Sequence, residues 1–200
     1  MLKNSGKPLK WTERFYPIAK HCPISPNWIT IISMIIAFIA VITFFYGYIY
    51  ETIILVLFAF MFDSLDGLVA RAKGRVTKKG AFLDGITDRV VEFFVLLILW
   101  QWIKTGFLVP IEIQMISILF FGTCMTSYLK AYAEHRQVLS HEKALKLGGL
   151  LERGERVGLM FIVLVIALFS SVYASYLIFI IFILTIFTFL QRLYYILSSS

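Results

Sequence analysis

Long apolar runs alternate with short basic ones along this chain. Trp28 to Tyr50 contains no Asp, Glu, Lys or Arg; a membrane-spanning helix needs about 20 mostly apolar residues, so a first span is expected there. Val157 to Gln191 is also free of charge. That run is too long for one helix, and Ser170, Ser171 and Ser175 around Val172, Tyr173 and Ala174 offer a turn near its middle, which predicts two spans. Ile113 to Leu129 predicts another, extended on both sides and started near Pro110, which suits a first helical turn. Two shorter runs, Thr52 to Phe62 and Phe93 to Ile103, are each about half a span. Charged halves complete them: the first runs into Asp63, and the second follows Asp84, Asp88, Arg89 and Glu92. The pattern therefore predicts an all-α, polytopic membrane protein of six transmembrane helices.

The first 25 residues follow a different rule. Trp11, Phe15, Ile18 and Cys22 recur at helical spacing, with Lys10, Arg14 and Lys20 turned elsewhere, which predicts an amphipathic interfacial helix over residues 1–25, bent near Pro17. Pro23 and Pro26 then break the chain, and Asn27 is a candidate N-cap of the first span. Residues 26–200 are expected to form one membrane domain.

Composition narrows the class. With 60% hydrophobic and 16% charged residues and a mean hydropathy of +0.84, a soluble fold has too little interior to hide the apolar side chains. The net charge of +7 could point to nucleic acid, but its distribution points elsewhere. Basic residues gather before the first span, between Arg71 and Lys79, and from Lys130 to Arg156; the opposite connections hold only Lys104. Cytoplasmic loops of membrane proteins carry such an excess. Both termini are thus expected in the cytoplasm, in the cell membrane, with no nucleic-acid partner. Cys22 and Cys124 lie far apart and outside any CxxC pattern, so neither a zinc site nor a disulfide framework is expected.

The chemistry is concentrated between Phe62 and Val90. On a helix, Asp63, Asp66, Gly67 and Ala70 share one face, as do Gly80, Asp84 and Asp88. The short connection Ala72 to Lys79 makes the two helices antiparallel neighbours, so four carboxylates can converge. They cannot all stay ionised at low dielectric without a countercharge. Oxygen-only ligation favours Mg²⁺, Mn²⁺ or Ca²⁺, and Mg²⁺ commonly completes its shell with substrate phosphates. A divalent-cation transporter is an alternative at this point.

The run Asp63-x2-Asp66-Gly67-x2-Ala70-Arg71-x8-Gly80-x3-Asp84-x3-Asp88 resembles the signature of the CDP-alcohol phosphotransferase family. The resemblance implies transfer of a phosphoryl-alcohol group from a CDP-linked lipid to the hydroxyl of a second alcohol, with release of CMP. It also implies that Asp63, Asp66, Asp84 and Asp88 are ligands of two Mg²⁺ or Mn²⁺ ions, Asp88 being the general base as well. Asp66, Gly67, Ala70, Arg71, Arg75, Thr77 and Gly80 would bind the CDP moiety. Homodimers are common in the family.

Cations from Lys130 to Arg156 suit an acceptor that carries its own phosphate. The segments Ser127-Tyr128-x-Lys130-Ala131-x-Ala133-Glu134 and Gly148-Gly149-Leu150-Leu151-Glu152-Arg153-x-Glu155-Arg156 resemble the archaetidylinositol and phosphatidylinositol phosphate synthase branch, whose acceptor is inositol 1-phosphate. On that resemblance Ser127, Lys130, Arg153, Arg156 and Arg192 would hold the acceptor phosphate. Two departures, Tyr132 in place of a basic residue and a long stretch from His135 to Leu147, keep glycerol 3-phosphate open as the acceptor.

Overall fold

A computed structural model describes residues 16, 17 and 19–199. The expected interfacial helix falls largely outside them, with Trp11, Phe15 and Ile18 among the residues not described. The described secondary structure is helical throughout, and the chain divides into two compact units that meet in sequence between Ile98 and Leu99.

In the first unit, α1 (Pro26–Phe45), α2 (Ile49–Ala72) and most of α3 (Lys78–Trp102) follow one another through short turns. Ser25 is the N-cap of α1 and Pro26 opens its first turn, where a missing N–H costs nothing. Asn27 is therefore inside the helix rather than its cap. Nor does the apolar run to Tyr50 make one helix: α1 ends at Phe45 because Gly47 takes φ +85, a left-handed turn that glycine adopts without steric penalty. Among the residues α1 buries are Thr30, Ser33, Ala37 and Ala40, small side chains at steps of three and four that let helices approach closely in lipid. Ala37 meets Ala59 of α2 and Val91 of α3. Nearer the N-terminus, Ala19, Ile29, Leu68 and Val69 pack together with Cys22 beside them, and Lys73 donates to the Ile24 carbonyl at 2.9 Å.

In the second unit, α4 (Ile111–Ser117), a π-helical segment (Ile118–Met125) and α5 (Thr126–His135) form one continuous helix, as the apolar run predicts, with Pro110 at its N-cap. The π segment has no counterpart in the sequence pattern. Next come α6 (His141–Lys146), α7 (Arg153–Ala167) and α8 (Ser171–Ser198). Ser170 accepts from Tyr173 N at the start of α8, so the long charge-free run does break at the serines. Four helical stretches are long and apolar enough to cross a membrane: Pro26–Phe45, Ile49–Ala72, Ile111–His135 and Ser171–Ser198. α3 has the length but carries six charged side chains, Lys78, Lys79, Asp84, Asp88, Arg89 and Glu92. α7, with 15 residues, is about 22 Å long.

Candidate active site

Asp63 and Asp66 lie in the last turns of α2, and Asp84 and Asp88 in the first turns of α3. One carboxylate oxygen from each of Asp63, Asp84 and Asp88 falls within 4.8 Å of the other two. Helical periodicity placed these carboxylates on facing sides, and the five-residue turn between α2 and α3 brings the two sides together. Arg89 lies 3.5 Å from Asp88 Oδ2 and donates to the Gly85 carbonyl.

Asp66 is held differently. Thr30 of α1 donates to its Oδ2 at 2.5 Å, and the Gly67 N–H donates to its Oδ1. It stands within electrostatic reach of Asp84 and Asp63 but outside the cluster of three. The four carboxylates expected to converge therefore lie together as a tight group of three with Asp66 beside it. Three carboxylates this close repel one another unless a cation or protons intervene, and an all-oxygen donor set fits Mg²⁺ or Mn²⁺.

Beside the carboxylates opens a cavity of about 280 Å³. Asp66, Gly67, Ala70, Arg71, Arg75, Thr77 and Gly80, the residues expected to bind the CDP moiety, all line it. Pro26, Asn27, Thr30, Val76 and Ala81 also line it. Asn27, expected only as a cap, and Thr30, which the sequence pattern does not single out, are polar side chains one turn apart on α1, and both face the cavity. Glycine keeps the cavity open at two points. A Cβ on Gly67 would come 3.3 Å from Arg71 Nη1, and one on Gly80 would come 3.0 Å from Thr77 Oγ1 and 3.1 Å from Asn27 Oδ1. Thr77 immediately precedes α3, its hydroxyl accepting from Gly80 N at 3.0 Å.

The cations expected to receive the acceptor belong to the second unit. Lys130 lies within electrostatic reach of Arg192, and Arg192 of Arg156, with Glu152 facing both Lys130 and Arg192. Lys130 Nζ donates to the Leu145 carbonyl at 3.3 Å, and Arg192 Nη1 to the Thr126 carbonyl at 2.9 Å. Arg156 is 4% exposed. Ser127, one turn before Lys130, donates to the Thr123 carbonyl at 3.2 Å, and Arg153 is the first residue of α7.

A family model described as CDP-alcohol phosphatidyltransferase matches residues 23–190. The chain is 36% identical over 172 residues to the archaetidylinositol phosphate synthase of Pyrococcus horikoshii, an alignment covering 86% of this chain and 82% of that protein. It is 36% identical over 152 residues to the phosphatidylinositol phosphate synthase of Mycobacteroides abscessus, covering 73% and 63% respectively. Among solved structures, the Mycobacterium tuberculosis phosphatidylinositol phosphate synthase with CDP-DAG bound superposes with a TM-score of 0.73 at 25% identity, over 92% of this chain and 94% of that one.

Proposed function

Since the chain belongs to the CDP-alcohol phosphatidyltransferase family, we propose that it transfers a phosphatidyl or archaetidyl group from a CDP-linked lipid to a hydroxyl of myo-inositol 1-phosphate, releasing CMP. It is a membrane transferase of phospholipid biosynthesis, which decides against the cation-transporter alternative. The observation that carries the proposal is the cluster of Asp63, Asp84 and Asp88 next to a cavity whose walls include Gly67, Arg71, Arg75 and Gly80.

In the reaction, Asp63, Asp66 and Asp84 hold divalent metal, with Asp88 as a further ligand. Bound there, Mg²⁺ or Mn²⁺, proposed as two ions, would supply neutralising charge at the diphosphate and so a better leaving group in CMP. Arg71 and Arg75 grip diphosphate oxygens through charge-assisted hydrogen bonds, helped by Thr77. Gly67, Ala70 and Gly80 leave room for the cytidine and diphosphate. Asp88 accepts the proton of the attacking hydroxyl. The acceptor oxygen forms a bond to the lipid phosphorus as the bond from that phosphorus to CMP breaks. Ser127, Lys130, Arg153, Arg156 and Arg192 hold the acceptor phosphate, a task suited to guanidinium forks and a mobile ammonium.

The same reading makes residues 26–200 one domain of six spans, α3 and α7 completing the four apolar ones. Both termini and the acidic site face the cytoplasm, and the protein acts as a homodimer in the cell membrane. Glycerol 3-phosphate remains the second acceptor, because Tyr132 and the stretch from His135 to Leu147 depart from the inositol branch.

The test is CMP release by purified protein with a CDP-linked lipid, Mg²⁺, and myo-inositol 1-phosphate, glycerol 3-phosphate, free inositol or serine. Turnover with myo-inositol 1-phosphate is expected. Equal turnover with free inositol or serine overturns the phosphate pocket, and preference for glycerol 3-phosphate reassigns the acceptor.

A further inference from the structure

The connection between α5 and α7 is longer than the resemblance leads one to expect, and the structure shows it firmly docked. Leu139, Ala144 and Leu147 are buried against Ala133 of α5 and Ile196 of α8. Beyond them the backbone is stitched to α8: Leu150 N donates to Gln191 Oε1 at 3.1 Å, and Leu151 N to Thr188 Oγ1 at 2.9 Å. The Thr188 hydroxyl donates to the Leu184 carbonyl at 2.7 Å, which leaves a lone pair to accept from Leu151 N. Between these anchors Gly149 lies flat on α8. A Cβ there would come 2.4 Å from Thr188 Cγ2 and 3.4 Å from Arg192 Nε.

This strap touches two of the phosphate-binding cations. Leu145, in the last turn of α6, offers its carbonyl to Lys130, and Gly149 covers Arg192. An ammonium and a guanidinium recognise a phosphate monoester only if their spacing is held, and both side chains are long and rich in rotamers. We propose that the connection over residues 139–151 positions Lys130 and Arg192 for a phosphate monoester, and that Thr188 is the positioning residue that clamps it to α8. The proposal rests on the acceptor reading above.

The test uses full-length Thr188→Val and Thr188→Ser protein and follows the KM for acceptor, the KM for CDP-linked lipid, kcat, and inhibition by inorganic phosphate against the acceptor. Valine keeps the shape but leaves the Leu151 N–H without an acceptor. Acceptor KM and the phosphate inhibition constant are expected to rise together, about five- to tenfold, while the CDP-lipid KM stays within about twofold of wild type. Serine is expected to restore both. Unchanged acceptor KM and phosphate inhibition in Thr188→Val, an equal rise in the CDP-lipid KM, or a serine variant that behaves like valine each overturns the clamp. Should Thr188→Val fail to fold, Gln191→Leu, at an exposed position, removes the neighbouring tie and is expected to move the same two constants in the same direction; no change overturns the clamp. Failure of the acceptor reading is distinguishable: inorganic phosphate would then not compete with the acceptor in wild type, and Lys130→Ala would leave acceptor KM unchanged. That result removes the proposal together with its premise.

Discussion

Thr30 sets Asp66 apart from the other three signature carboxylates. Its hydroxyl donates to Oδ2 at 2.5 Å, which ties that carboxylate to α1. Asp63, Asp84 and Asp88 form the tight group, so the proposed general base and two proposed ligands are neighbours while the fourth carboxylate is tied to α1. Asp88→Asn preserves shape and removes the proton acceptor. It is expected to lower CMP release by about 10²–10⁴-fold while thermal unfolding and CDP-lipid affinity change little; retained turnover would give the base role to another group. Gly80→Ala tests the other side of the cavity. Its Cβ at 3.0 Å from Thr77 Oγ1 and 3.1 Å from Asn27 Oδ1 is expected to raise the CDP-lipid KM more than the acceptor KM. At this scale the spacing of the signature residues was legible, because helical periodicity alone puts Asp63, Asp66 and Gly67 on one face. The partner of Asp66 was not, since Thr30 is 36 positions away in sequence and reads locally as one small polar residue in an apolar helix.

Glycines end one helix and admit close packing on another. Gly47 ends α1 by adopting a positive φ. Gly122 sits in the π segment, where a Cβ would meet Thr185 Cγ2 at 2.8 Å and Arg156 Cδ at 3.5 Å. α8 therefore receives glycines at Thr185 and, through Gly149, at Thr188, one turn apart on the same helix. π segments cluster at functional sites. Here the segment leads directly into Thr126, whose carbonyl accepts from Arg192. Gly122→Ala is expected to cost about 1–3 kcal/mol through overpacking, read as a lower thermal unfolding midpoint in detergent, with acceptor KM raised and CDP-lipid KM unchanged. A neutral thermal profile would mean that Thr185 can swing aside. The apolar runs announced the helices, but hydropathy carries no information on whether a turn closes by four or five residues, so the π segment went unannounced.

Across the whole molecule, folding and chemistry depend on different forces. Backbone hydrogen bonds within each helix hold the spans in a medium without water, whereas the carboxylate cluster depends on a counter-cation. Chelation by EDTA is expected to abolish CMP release, with recovery on adding Mg²⁺ or Mn²⁺, while the far-ultraviolet circular dichroism of the helices stays constant. Activity that survives chelation would exclude a metal from the reaction. The alternation of charge-free runs with basic loops determined, from sequence alone, that this is a helical membrane protein, and the signature spacing determined which carboxylates and glycines share a helix face. Both are local properties of a 3.6-residue period and of transfer from water to lipid. Only the tertiary structure decided that the carboxylates divide three to one, that Asn27 and Thr30 line the cavity beside them, and that Thr188 accepts from Leu151 N. Those facts depend on packing between residues remote in sequence, where contact distance rather than periodicity determines which side chains meet.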